Sequence, residues 1–147
     1  MLQKSNPTAT AGCSNEDCLP CMTGRGDGGN CRSCSINYQL ECQLCPDGER
    51  SQYHGETSRN LFTRCREHVN RYQNRNRNSF MQKHQVEKHQ GLEGHYTAKV
   101  TGSSTDCLTR QVREAVMIRR CEVPVLNSKT EWHQPALWQV QRELHLG

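Results

Sequence analysis

INYQLECQLCPDGERSQYHG, residues Ile36 to Gly55, is the stretch from which the rest of the chain can be placed. Ile36, Tyr38, Leu40 and Cys42 alternate with polar residues, the period-two signature of a strand with one buried face. Pro46-Asp47-Gly48 is a turn, because proline presets φ and glycine accepts positive φ. Residues 51–55 then return as a second short strand. The result is a hairpin with a tyrosine on each arm, Tyr38 and Tyr53, and a Cys42-x2-Cys45 pair near its tip.

Helical spacing takes over after the hairpin. Leu61, Cys65, Val69 and Tyr72 recur on one stripe, Thr57 or Ser58 can cap, and the pattern predicts a helix from Arg59 to Asn74. Arg64 and His68 are four residues apart and share another stripe. SFMQKHQVEKHQG predicts a shorter helix ended by Gly91, and residues 95–100 a weak strand. STDCLTRQVREAVMIRRC predicts an amphipathic helix capped by Asp106, with Leu108, Val112, Ala115 and Val116 as its buried stripe. Residues 123–127 read as a short apolar strand-like piece. Pro135 can open a last helix whose inner face is Leu137, Val140 and Leu144. The expected architecture is α/β (α+β): a small three-stranded antiparallel sheet flanked by helices, behind a cysteine-rich extension.

Composition explains the need for that extension. Only 33% of the 147 residues are hydrophobic and the mean hydropathy is -0.93. A core this small needs staples. Ten cysteines are present, and six of them form three Cys-x2-Cys pairs, which suits a tetrahedral metal better than disulfides. No apolar run approaches the ~20 residues that span a bilayer, and residues 1–12 lack the apolar core of a secretion signal. The expectation is therefore an intracellular, reducing setting with thiolates free for zinc, and no membrane partner. Residues 1–12 read as a disordered lead-in. The net charge is a modest +4, but Arg59, Arg64, Arg66, Arg71, Arg75 and Arg77 crowd one segment, which suggests a polyanionic partner.

Two zinc sites are expected. Cys18-x2-Cys21-x9-Cys31-x2-Cys34 has the paired four-thiolate pattern with a short spacer, and Cys13 is a fifth candidate. Cys42 and Cys45 lack a partner pair, and His84 with His89, spaced H-x4-H, can complete a two-cysteine, two-histidine site. Four protein ligands leave no open position, so both sites are expected to be structural.

INY, then fourteen residues, then YHG, then ETSRNLFTRCREH resembles the GIY-YIG endonuclease superfamily. RQVREAVMIRR resembles that family's helix with a metal-binding glutamate, and VLNSK its closing asparagine strand. Cys42, Cys45, His84 and His89, in that order around the motifs, make the likeness closer to the endonuclease domain of Penelope-like retroelements. The likeness covers residues 13 to 135. It implies a zinc-binding segment over 13–35 and a nuclease domain over 36–147. It favours Cys13, Cys18, Cys21 and Cys31 as ligands where spacing favours Cys34, and the fourth ligand stays open between them. INY in place of Gly-Ile-Tyr and His54 in place of Ile are departures; His54 should point away from Tyr53.

The resemblance also implies a mechanism. Phosphodiester hydrolysis requires a deprotonated water, a neutralised phosphate and a stabilised leaving oxygen. Arg64 would contact the scissile phosphate. Tyr38 would act as base or water-positioning group with Tyr53 beside it, and His68 would assist proton transfer. Glu114 would hold a catalytic Mg2+ or Mn2+, and Asn127 would order the site. Arg59, Arg66, Arg71 and Arg75 would bind the DNA backbone. The implied function is a divalent-metal-dependent DNA endonuclease that nicks DNA to prime reverse transcription. Its partners would be a reverse transcriptase domain in the same polypeptide and its RNA, in the nucleus if the host is a eukaryote. The competing expectation is a non-catalytic zinc-finger module that binds nucleic acid or protein.

Overall fold

The computed structural model describes residues 18–23 and 30–127. The lead-in, Cys13 and the helix expected from Pro135, with Leu137, Val140 and Leu144, lie outside the described residues. A short helix α1 (Leu19–Thr23) and a 3-10 turn (Asn30–Arg32) precede the hairpin strands β1 (Ile36–Cys42) and β2 (Gln52–Thr57). Helices α2 (Leu61–Gln73) and α3 (Phe80–His89) follow, then β3 (Tyr96–Ser103) and α4 (Cys107–Arg120). The three strands form one sheet in the order β2-β1-β3, and both pairings are antiparallel. The α+β architecture matches the sequence expectation.

The central strand is buried on both sides, and its alternation separates two unlike faces. One face carries Ile36, Tyr38, Leu40 and Cys42 with Tyr53, Tyr96 and Ala98, and Leu61, Cys65 and Met81 from α2 and α3 pack on it. The other carries Asn37 and Gln39, beside His54 on β2 and Lys99 on β3. There Asn37 donates to the Arg110 carbonyl of α4 at 2.9 Å, and Arg110 Nε donates to Glu56 at 2.9 Å.

That second face corrects the reading of α4. Its buried residues are Arg110, Ala115 and Ile118, while Leu108 and Val116 are exposed. An apolar stripe would have faced Asn37, Gln39 and Glu56. The helix instead turns Arg110 inward, where an ion pair and a carbonyl partner satisfy the buried charge. Three boundaries also move. Asn60, whose side chain accepts from Thr63 N at 2.7 Å, caps α2. Thr57 is unavailable as cap because it closes β2 as the partner of Ile36. β3 runs on to Ser103, since Ile36 and Asn37 still pair there beyond a bulge. The piece at 123–127 is a single parallel bridge, Gln52 to Val125.

The expected turn is present: Glu49 N donates to the Pro46 carbonyl at 3.0 Å, and Gly48 has φ +83°. Among the described residues no helix is long and apolar enough to cross a membrane.

Candidate functional site

Strand register creates the first cluster. Tyr38 on β1 sits opposite Gly55 on β2, and the tyrosine ring fills the space a side chain would take there. A Cβ on Gly55 would lie 2.4 Å from Tyr38 Cζ. The helix α2 then delivers two side chains to the Tyr38 hydroxyl. Arg64 Nε donates to it at 3.2 Å, and His68 Nε2 lies 2.8 Å away. Arg64 occupies one of the oxygen's acceptor positions, so the phenolic proton is best placed on the line to His68.

Burial sets the charge states. Tyr38 is 1% exposed, and desolvation pushes its hydroxyl well above the usual phenolic range, against the pull of Arg64. His68 is brought down to about 3, first by burial and then by the positive charges of Arg64 and Arg71. The resting pair is thus a protonated tyrosine on a neutral imidazole. His68 is a buried residue, not a solvated one, and its ring meets Tyr53 edge-on at 4.9 Å. Phe80, the first residue of α3, stacks on Tyr53 at 4.2 Å and sets its edge against His68 at 5.1 Å.

Glu67 joins this cluster, and the sequence reading did not single it out. Its Oε1 accepts from Arg64 Nη1 at 2.9 Å and from Arg59 Nη2 at 2.7 Å, and its Oε2 accepts from Arg59 Nη1 at 2.7 Å. Arg59 and then Arg64 hold the carboxyl down to about 2. The i,i+3 spacing from Arg64 was the available signal. Arg66 lies over the Phe62 ring at 5.7 Å, and the side chains of Arg71 and Arg75 are exposed. A cleft of about 570 Å³ on the opposite flank of α2, lined by Phe62, Arg66, Val69, Met81 and Glu93 among others, includes none of Tyr38, Arg64 or His68.

Glu114 is half-buried on α4, one turn beyond the inward-facing Arg110. Arg110 pairs with Glu56 across the sheet. Among the described residues no group of three or more Cys, His, Asp or Glu ligands includes Glu114. Asn127 holds β2 by its backbone: His54 N donates to its Oδ1 at 2.9 Å, and its Nδ2 donates to the His54 carbonyl at 2.7 Å. His54 points to the polar face, as expected from its alternation with Tyr53. Both of its ring nitrogens are buried without a hydrogen bond among the described residues, and burial, then Lys99, lowers its pKa.

The second cluster lies at the far end of β1. Cys42 and Cys45 meet His84 and His89 of α3, with all four ligand atoms within 4.8 Å of one another. Cys45 Sγ is 3.3 Å from His84 Nε2 and 3.4 Å from His89 Nε2, Cys42 Sγ is 3.5 Å from His89 Nε2, and the two Nε2 atoms are 3.1 Å apart. Tetrahedral zinc with ordinary bond lengths requires edges of roughly 3.3–3.6 Å for N···N and S···N. The four groups can pair with one another as thiols and neutral imidazoles, and their spacing also suits a tetrahedral cation. Burial and Cys45 raise the Cys42 thiol in the metal-free state, which bound zinc would reverse. Gln85 stands behind the site, accepting from Tyr96 Oη at 3.0 Å within reach of Cys42 Sγ at 3.8 Å.

A third group brings Cys18, Cys21 and Cys31 together within the same limit. Cys34 is not in it. The backbone explains why. Leu61 N donates to the Ser33 carbonyl, Ser35 N donates to the Ser58 carbonyl, and Ser104 N donates to the Ser35 carbonyl. These bonds pin residues 33–35 to the entry of β1 and leave Cys34 exposed, its thiol 3.6 Å from the Arg32 carbonyl. Of the pattern Cys18-Cys21-Cys31-Cys34, the structure thus brings together three candidate ligands and leaves Cys34 apart, and Cys13 lies outside the described residues.

Comparisons with family models, with curated proteins and with solved structures give no match to this chain.

Proposed function

We propose that the chain is a DNA endonuclease of the GIY-YIG type, closest to the endonuclease domain of Penelope-like retroelements, stapled by two structural zincs. The observation that carries this reading is the meeting of Tyr38, Arg64 and His68, residues 26 and 30 apart in sequence, at one hydroxyl. A packing tyrosine does not need a guanidinium and an imidazole on its oxygen. Arg64 presents a fixed positive charge where a phosphate can be neutralised. Tyr38 rests protonated, and His68 accepts its hydrogen bond, which fixes the hydroxyl where it can orient a water. Glu114 would hold Mg2+ or Mn2+, whose chemistry is to stabilise charge on the phosphate and the departing oxygen. Asn127 fixes the β2 backbone next to Tyr53. Arg66, Arg71 and Arg75 supply salt-sensitive backbone contacts. On this reading the domain nicks DNA for a reverse transcriptase in the same polypeptide, with its RNA as template, in the nucleus of a eukaryotic host.

A second reading, a non-catalytic zinc module, draws on the 1% exposure of Tyr38. One assay separates the two. Supercoiled plasmid with magnesium is nicked by the wild-type chain and not by Arg64→Ala or Glu114→Ala, with zinc content and circular dichroism unchanged. A loss of at least about 10²-fold in rate is expected from removing one charge-stabilising group. Wild-type rates in both variants sink the nuclease assignment.

A further inference from the structure

Arg59 and Arg64 reach one carboxylate from two directions. Three N–H groups converge on the two oxygens of Glu67 at 2.7, 2.7 and 2.9 Å. Both guanidiniums bond the same oxygen, Oε1, so two positive charges are held close together with a single negative charge between them. Arg64 cannot swing away freely, because its Nε is also bonded to Tyr38. Arg59 is less constrained: its side chain is 53% exposed and it lies in the loop before α2. Glu67 itself is 36% exposed, so the group it shields borders solvent. A carboxylate taking three guanidinium donors presents them with the acceptor pattern of a phosphate edge.

We infer that Arg59 and Arg64 form a phosphate cradle and that Glu67 is its displaceable resident anion. A backbone phosphate entering the cradle takes over the Arg59 and Arg64 donors, and the Glu67 side chain rotates out to water. This rests on Arg64 as the phosphate-contacting residue and adds one element to that reading. It narrows Arg59 from a DNA-backbone contact to a ligand of the same phosphate as Arg64, and Glu67 becomes a threshold that weak anions do not cross. With Glu67 in place the cradle carries a net charge of one; without it the two guanidiniums repel each other and seek an anion.

The test uses the full chain and inorganic phosphate, so it needs no cleavage. Arginine Nε–H signals are followed by NMR during phosphate titration of the wild type and Glu67→Gln. The expected result is that Arg59 and Arg64 respond in Glu67→Gln at phosphate concentrations at least tenfold lower than in the wild type. Arg113, bonded to the Ser103 carbonyl, should not move in either protein. The double variant Arg59→Ala/Glu67→Gln should lose most of that gain. Equal phosphate affinity in wild type and Glu67→Gln overturns the cradle. So does a gain shared by every arginine, which would be general charge, or a gain that survives Arg59→Ala. If Glu67→Gln does not fold, Glu67→Asp serves: its carboxylate is one methylene too short to hold both arginines, and phosphate binding should still tighten. Absence of that tightening is equally fatal. Phosphate binding without plasmid nicking would leave the cradle standing and remove the nuclease. Nicking with no change in phosphate affinity would do the reverse.

Discussion

Tyr38 and Cys42 stand four residues apart on the same face of β1, yet the two ends of that face are held by opposite means. At the Tyr38 end, α2 is tied to the strand by hydrogen bonds and ring contacts that are satisfied within the protein. At the Cys42 end, α3 meets the hairpin through two thiols and two imidazoles whose ligand atoms lie within 4.8 Å of one another, a set that could hold a metal ion and would clamp the helix most firmly with one bound. The first end is preorganised; the second is conditional. Phe80 connects them, because it opens the helix that carries His84 and His89 and stacks on Tyr53 beside His68.

Breaking the conditional end should have the largest effect. Cys45→Ser, or a strong chelator, is expected to remove one metal equivalent and release α3, measured by metal analysis and thermal unfolding. Binding free energies of structural zinc are on the order of 10 kcal/mol, comparable to the ~5–15 kcal/mol that stabilises a whole domain. A thermal midpoint unchanged by Cys45→Ser would mean that the cage is not what clamps the hairpin.

Gly55→Ala attacks the preorganised end without touching a ligand. The added methyl collides with the Tyr38 ring, whose hydroxyl is fixed on both sides. A cost of about 2–3 kcal/mol in denaturant unfolding is expected, with metal content intact. A neutral outcome would show that the tyrosine ring is free to shift.

Acidification probes the same end more gently. His68 has a folded pKa near 3, below its unfolded value of roughly 6.5. The unfolded chain therefore binds the proton first. Stability is fully present above the unfolded value and falls by at most about 1.4 kcal/mol per pH unit as pH drops towards 3. His68→Gln should flatten the slope just below pH 6.5 in urea unfolding; an unchanged slope would place the titration elsewhere.

The smallest effect is expected at Cys34, which lies outside the group formed by Cys18, Cys21 and Cys31. Cys34→Ser should leave metal stoichiometry and melting unaltered, while Cys21→Ser should cost a metal equivalent. Loss of metal in Cys34→Ser would reinstate the four-thiolate pattern.

The parts of this molecule that sequence alone revealed are those fixed by short-range rules. Period-two alternation gave the hairpin and put Tyr38 with Leu40 and Cys42. Ligand spacing brought Cys42 and Cys45 to His84 and His89 across nearly forty residues, because few other residues could complete the pair. The inward face of α4 was hidden for a physical reason. A helix is normally oriented by its apolar stripe, but this one covers the polar side of a sheet and is oriented by the Arg110–Glu56 pair. Glu67 carries no distinguishing signal in the sequence, since a glutamate one turn from an arginine is usually a solvated ion pair; only the approach of Arg59 from the preceding loop makes it a shared anion. His68 belonged to a polar stripe by counting and to the core by contact.

Asn127 has a consequence for what the sheet can join. β2 is an outer strand, and such strands offer unpaired backbone groups to any other extended chain. Here Gln52 N donates to the Pro124 carbonyl at 3.0 Å and Leu126 N donates to the Gln52 carbonyl at 2.8 Å, while the Asn127 amide takes both backbone groups of His54. One side chain thus imitates a residue of a fourth strand and seals the margin beside Tyr53 against strand addition. A copy of this domain, or a peptide, cannot extend the sheet there without first expelling Asn127.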